Sequence, residues 1–252
     1  MLGAMTDDGT PRRYLKVQQH LQDLVTGGEY QPGDKVPSER ELALTLGVSR
    51  MTVRRAVDAL VRMGLLTRDS TAGTRVSSPK VRRLLNHAHL HSITQMVAAT
   101  GGRAGGRLLE FQTGVASGRV AEKLGVAAGS PVVVIRRLRL VDDVPFCLET
   151  SYLSAQRVPG LAAQDLLDGA SLYQVLADRY GIAAAVGESV ISVSVATAAE
   201  AQALNLPDQH AVLLYRSVVQ DTQGQPFEYL TSVNHPNLVV FNIGEGRSAP
   251  SS

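Results

Sequence analysis

Arg50, Thr52 and Arg54 follow directly after Ser49, a residue type that caps helices. An arginine in the first turn of a helix can offer two donors to a guanine edge, worth roughly 1–3 kcal/mol of base discrimination. The same helix start presents free N–H groups and a positive dipole, which suit a phosphate. Arg40, one predicted helix earlier, is expected to project toward the same groove. A second set of chemical groups lies further along. Arg137 and Arg139 are two apart, so on a strand both point to one face. Ser171 follows Asp168-Gly169 at a predicted helix start, and Tyr173 falls in that helix's first turn. Glu149 and Glu228 sit on the return strands of two predicted hairpins. Together these are the makings of a pocket for a small anion. The plain alternative is a cross-strand ion pair. A three-residue loop at Asp142 to Val144 sets Arg137 opposite Glu149, and a two-residue loop sets Arg136 there.

The elements around Arg50 are legible from local signals. Tyr14, Val17, Leu21, Leu24 and Val25 recur at helical spacing, which predicts a helix over Arg13 to Thr26, stopped by Gly27-Gly28. Gln31 to Lys35 reads as a turn. Ser38 and Glu41 form a capping box for a second helix that runs to Leu46, where Gly47 supplies a sharp turn. Ser49 opens a third helix that runs to Met63, with Val53, Val57, Leu60 and Val61 facing inward and Gly64 ending it. Leu65 to Arg68 and Thr74 to Ser77 alternate like two short strands about a tip at Asp69 to Gly73. Three helices and a hairpin over residues 11–78 make a winged helix-turn-helix, with Gly73 at the wing.

Residues 79–88 read as a linker. His87, His89 and His91 alternate there, a spacing that can bind metal, but no carboxylate or cysteine stands near them, so a hinge or packing role is expected. Residues 89–247 read as a second domain. Gly101-Gly102 and Gly105-Gly106 read as a flexible entry to a strand over Leu108 to Val115. An internal repeat then follows. Ala121 to Val126 and Pro131 to Arg136 recur 80 positions on, as Ala201 to Leu206 and Ala211 to Arg216. Pro145-Phe146 recurs as Pro226-Phe227 at offset 81. The repeat predicts an antiparallel sheet of two similar halves with helices on one side. The fold class is α+β.

Net charge is +2, yet residues 11–80 hold 12 Lys and Arg against 7 Asp and Glu, while residues 81–252 hold 13 against 14. A basic module joined to a neutral one points to a polyanion partner for the first. No run approaches a membrane span, and the polar start lacks a signal sequence, so a cytoplasmic location is expected. Cys147 is the single cysteine and cannot form an internal disulfide. No Ser-His-Asp or Cys-His arrangement is readable. No enzymatic activity, cofactor or metal is therefore expected.

The run Pro37-Ser38-Glu39-Arg40-Glu41-Leu42-Ala43, then Gly47 to Val57, resembles the GntR family of bacterial transcription regulators. That resemblance implies operator contacts from Arg40, Arg50, Thr52 and Arg54, and a wing in the minor groove. The family wing reads Gly-x-Gly-Thr-Phe-Val, whereas this chain reads Thr71-Ala72-Gly73-Thr74-Arg75-Val76. Arg75 there either contacts a phosphate or points to solvent. Arg137-Leu138-Arg139, Pro145, Glu149, Ser171-Leu172-Tyr173 and Pro226-x-Glu228 resemble the UTRA effector domain of the HutC subfamily, which is similar in fold to chorismate lyase. The resemblance implies a phosphate held by Ser92, Arg137, Arg139, Ser171 and Tyr173, and a sugar held by Glu228. At 234–237 this chain reads Asn-His-Pro-Asn where sugar-phosphate-sensing members have Tyr-Arg-Gly-Asp, so the far end of the pocket is expected to differ. The expected protein is a homodimeric repressor of double-stranded operator DNA, released by a small anion such as a sugar phosphate or organic acid. A regulator without effector, and a lyase-like enzyme with a DNA-binding appendage, are the alternatives.

Overall fold

The computed structural model describes residues 10–26, 29–69, 73–77, 81–84 and 92–242. The chain divides into two units, residues 1–79 and 80–252. The expected helix stop at Gly27-Gly28, the wing positions Thr71 and Ala72, and the three alternating histidines lie outside the described residues.

In the first unit α1 (Thr10–Thr26), α2 (Glu39–Leu46) and α3 (Arg50–Arg62) precede a hairpin of β1 (Leu66–Asp69) and β2 (Gly73–Val76). The capping box closes: the Ser38 N–H donates to the Glu41 carboxylate at 2.7 Å, and the Glu41 N–H donates to Ser38 Oγ at 3.2 Å. Gly47 ends α2 with φ 62°, the left-handed conformation that glycine adopts without steric cost. Ser49 Oγ accepts the Thr52 N–H at 3.1 Å and so fixes where α3 begins. Val17, Leu21, Leu42, Val53, Val57 and Leu60 meet Leu66 and Val76 of the hairpin in one core. Val61, expected inward, is only half-buried at its edge.

The second unit runs β3 (Val81–Leu84), α4 (Ile93–Ala98), β4 (Ala104–Val115), α5 (Gly118–Leu124), β5 (Pro131–Val141) and β6 (Val144–Ser154). A 3-10 segment (Ala163–Gly169), α6 (Leu172–Tyr180), β7 (Ala184–Val195), α7 (Ala198–Ala203), β8 (Ala211–Asp221), β9 (Pro226–Asn234) and β10 (Val239–Asn242) complete it. Six strands form one antiparallel sheet in the order β4-β5-β6-β9-β8-β7. The two repeated hairpins meet at its centre, where Thr150 stands opposite Thr231.

Three expectations need correcting. The stretch expected as linker contains β3, which pairs in parallel with β10, Val81 opposite Val239 and Arg83 opposite Phe241. Val81 and Arg83 are buried and Arg82 is exposed, a strand alternation too short to stand out beside Ser77 to Lys80. The helices cover both faces of the sheet, not one. α6 and the 3-10 segment pack on Val133, Ile135, Leu153 and Phe227, while α5 and α7 cover Val132, Tyr229, Leu138 and Val212. The central strands are apolar on both sides, so each side needs a cover. Finally, the first hairpin turns on two residues, Asp142 and Asp143, both at positive φ, yet Arg137 still faces Glu149. A bulge at Phe146 shifts the register by one and reverses the loop-length argument. The second hairpin carries the matching bulge at Phe227.

No helix among the described residues is long and apolar enough to cross a membrane.

Candidate functional site

In the first unit Arg40, Ser49, Arg50, Arg54 and Gly73 are exposed, and Thr52 is half-buried. Thr52 Oγ1 shares a hydrogen bond with Ser49 Oγ at 2.8 Å, so the cap holds the threonine as well as the helix start. Arg40, Arg50 and Arg54 form no ion pair among the described residues. Arg68 behaves differently: it bridges Glu39 at 2.7 Å and also pairs with Asp58, tying the hairpin to α2 and α3. Arg75 of the altered wing, expected to reach phosphate or solvent, donates to the Gly33 carbonyl at 2.9 Å. The arginines at the start of α3, with Arg40 of α2, are therefore available to a polyanion.

In the second unit Ser92, Arg137, Arg139, Glu149, Ser171, Tyr173 and Glu228 all line one cavity of about 550 Å³, mouth included. Its floor is the sheet. Arg137, Glu149, Ser232 and Tyr215 stand side by side across β5, β6, β9 and β8. The next row carries Arg139, Cys147 and Asn234. The starts of α4 and α6 form walls, with Ile93, Met96 and Leu172 as apolar lining.

The site is buried: Arg137 is 7% exposed, Arg139 2%, Glu149 3% and Glu228 1%. Nε and Nη1 of both Arg137 and Arg139 have no hydrogen-bond partner. Glu149 Oε2 lies 3.5 Å from Arg137 Nη2 and 4.0 Å from Arg139 Nε. Closed charge-assisted hydrogen bonds are shorter, roughly 2.7–2.9 Å. Burial, and then the Arg137 charge, lower the Arg139 pKa, but a guanidinium stays protonated. Buried donors without partners are costly, and a ligand rich in acceptors removes that cost.

Two hydroxyls add to the donor set. Ser92 Oγ accepts the Gln95 N–H at 3.2 Å, and Ser171 Oγ accepts the Gln174 N–H at 3.4 Å. Each serine then keeps its own proton to donate. The other end is different. Tyr173 donates to Glu228 Oε2 at 2.8 Å. Burial raises the Glu228 pKa and, together with the nearby Glu228 charge, raises that of Tyr173 well above its usual range.

Three contributors were not anticipated. Arg83 reaches the cavity from β3, donating to Ser232 Oγ at 2.9 Å and Asn234 Oδ1 at 3.0 Å. Its guanidinium lies over the Tyr215 ring, 4.8 Å from the centroid. Gly106, read as part of a flexible entry, sits within β4 opposite Arg139, and a Cβ there would come within 3.1 Å of Arg139 Nη1. Alternation around Arg82 was the one sequence signal for Arg83; nothing local marked Gly106 or Tyr215. Cys147 lies beside the pocket with Ser232 Oγ 2.9 Å from its sulfur. Burial, and then Glu149, push its pKa up to about 12, so it is a neutral thiol and a poor nucleophile. No cluster of metal ligands occurs among the described residues.

A helix-turn-helix with unpaired arginines, joined in one chain to a domain with a buried cationic pocket, defines a DNA-binding regulator with a sensor domain. Residues 13–76 match the bacterial regulatory proteins of the gntR family, and residues 99–238 match the UTRA domain. The chain belongs to the GntR family, in its HutC-type branch that carries a UTRA domain, and it is a transcriptional regulator, not an enzyme. It is 32% identical over 228 residues to the HTH-type transcriptional repressor NagR of Bacillus subtilis (strain 168), covering 90% of this chain and 92% of that protein. It is 30% identical over 230 residues to the HTH-type transcriptional regulator YurK of the same organism, covering 91% and 94%. The crystal structure of PhnF from Mycobacterium smegmatis matches with a TM-score of 0.61 at 31% identity, covering 92% of this chain and all of that one.

Proposed function

We propose that this regulator is a repressor that binds a palindromic operator as a homodimer and is released when a small anion fills the pocket of the UTRA domain. Arg40, Ser49, Arg50, Thr52, Arg54 and Gly73 form the DNA-reading surface. Ser92, Arg137, Arg139 and Ser171 hold the anionic group, while Tyr173, Glu149 and Glu228 face the remainder of the ligand. The observation that carries the reading is the set of four buried guanidinium nitrogens without hydrogen-bond partners on Arg137 and Arg139. A purely structural ion pair with Glu149 would close, and these contacts stand open at 3.5 and 4.0 Å. Phosphate monoesters and carboxylates supply acceptors of the required kind, so sugar phosphates and organic acids are the ligand classes to try. The relationship to a protein named as a repressor favours repression over activation.

Half-sites on one face of a duplex lie about 34 Å apart per helical turn, so a change in the spacing of the two reading heads disengages one of them. The protein is placed in the cytoplasm, where its DNA is. The test is a thermal-shift screen of phosphorylated sugars and organic acids, followed by fluorescence polarisation of DNA from upstream of the protein's own gene. One compound that raises the melting temperature and releases the DNA supports the proposal. A stabilising anion that leaves DNA affinity unchanged contradicts the release mechanism.

A further inference from the structure

The first described strand of the second unit is β3, and only residues 78–80 separate it in sequence from Ser77. It is four residues long, and a parallel ladder of that length is weak by itself. Val81 anchors it in the apolar core, and Arg83 anchors it through polar contacts. Nη1 is committed to Ser232 and Asn234, and the guanidinium lies beside the stacked rings of Tyr215 and Phe241, 4.8 and 5.7 Å from their centroids. Nη2 lies 3.6 Å from Glu149 Oε1, close enough to attract but not closed. Glu149 is thus divided between two sides. Oε1 faces Arg83, and Oε2 faces Arg137 and Arg139.

We propose that Arg83 is the positioning residue through which occupancy of the pocket reaches β3, and so the segment leading to the DNA-binding unit. This rests on the anion-pocket reading above. An anion that takes the free Nε and Nη1 donors of Arg137 and Arg139 draws both guanidiniums onto itself. It also repels Glu149, whose like charge turns it toward Arg83. The Arg83–Glu149 pair closes and β3 is held more firmly. With the pocket empty, Glu149 is shared by three guanidiniums and β3 is held less well. The two states differ in their affinity for the anion, which is what a coupling between sites requires.

The test uses the full-length protein with inorganic phosphate as the probe. Hydrogen–deuterium exchange reads β3 with and without phosphate, and calorimetry reads phosphate binding. In the wild type, phosphate slows exchange at β3 by about tenfold, within the range of ordinary coupling. In Arg83→Met, compared at phosphate concentrations that calorimetry shows to saturate each protein, the effect on β3 falls below about twofold. Arg83→Lys keeps the charge without the planar fork and gives an intermediate response; it carries the test if Arg83→Met does not fold. A residue with only a structural role raises exchange equally with and without phosphate, so the difference is the quantity to compare. Phosphate binding that leaves wild-type β3 unchanged, or an undiminished response in both variants, overturns the inference alone. No phosphate binding to the wild type overturns the pocket reading and this inference with it.

Discussion

Arginine dominates both functional regions, and its surroundings differ completely between them. At the start of α3, Arg50 and Arg54 are exposed and free of ion pairs among the described residues. In the pocket, Arg137 and Arg139 are buried, with open contacts to Glu149 and donors left over. Exposed guanidiniums keep their water and meet a polyanion by displacing its counterions, a salt-sensitive interaction. Buried guanidiniums have already lost their water, so one small anion regains much free energy at little dependence on bulk salt. The same side chain therefore reads a long charged surface in one place and senses a single charge in the other.

The largest expected effect comes from breaking the pocket. Each hydrogen bond to a charged group is worth about 1.5–3 kcal/mol, and Arg139→Ala removes at least two, so affinity for the releasing anion falls by about a hundredfold or more. Calorimetry with that anion measures it. Breaking the other side is next: Arg50→Ala weakens operator binding by about 1–3 kcal/mol in a polarisation assay and leaves anion binding as in the wild type. Ser38→Ala sharpens the comparison by weakening the platform of α2 alone. The lost cap costs about 1 kcal/mol, which lowers the melting transition of the first unit and spares that of the second.

The smallest effect is a pH dependence. Burial raises the Glu228 pKa in the folded state. A raised value means that stability is full below the carboxyl's unfolded pKa and is lost as pH rises through the folded one. Glu228→Gln cannot ionise and removes that loss, so its melting temperature declines less over that window than the wild type's. Equal slopes for the two proteins would show that Glu228 titrates normally.

The two regions also differed in how far the sequence revealed them. The first unit is built from signals a few residues long: Ser38 with Glu41, Gly47 at φ 62°, and Ser49 before Thr52. Each signal acts locally and can be read locally. The pocket's residue types were equally visible, and all seven of its expected residues line one cavity. Its geometry was hidden because it depends on distant pairings. The bulge at Phe146 sets Arg137 against Glu149 despite a two-residue turn, and neither fact is written in the loop itself. β3 is a strand only because β10, more than 150 residues on, pairs with it. Gly106 read as flexible, whereas it packs against Gly169, where a φ of 78° and a Cβ that would lie 3.1 Å from the Gly106 nitrogen both favour glycine.

The most direct test is fluorescence polarisation of operator DNA with the wild type, Arg50→Ala and Arg139→Ala, with and without the compound that releases the wild type. Arg50→Ala should bind the DNA more weakly by about 1–3 kcal/mol. Arg139→Ala should bind it as tightly as the wild type and stay bound when the compound is added. If Arg139→Ala binds DNA as weakly as Arg50→Ala does, or is still released by the compound, then the two sets of arginines do not divide reading from sensing.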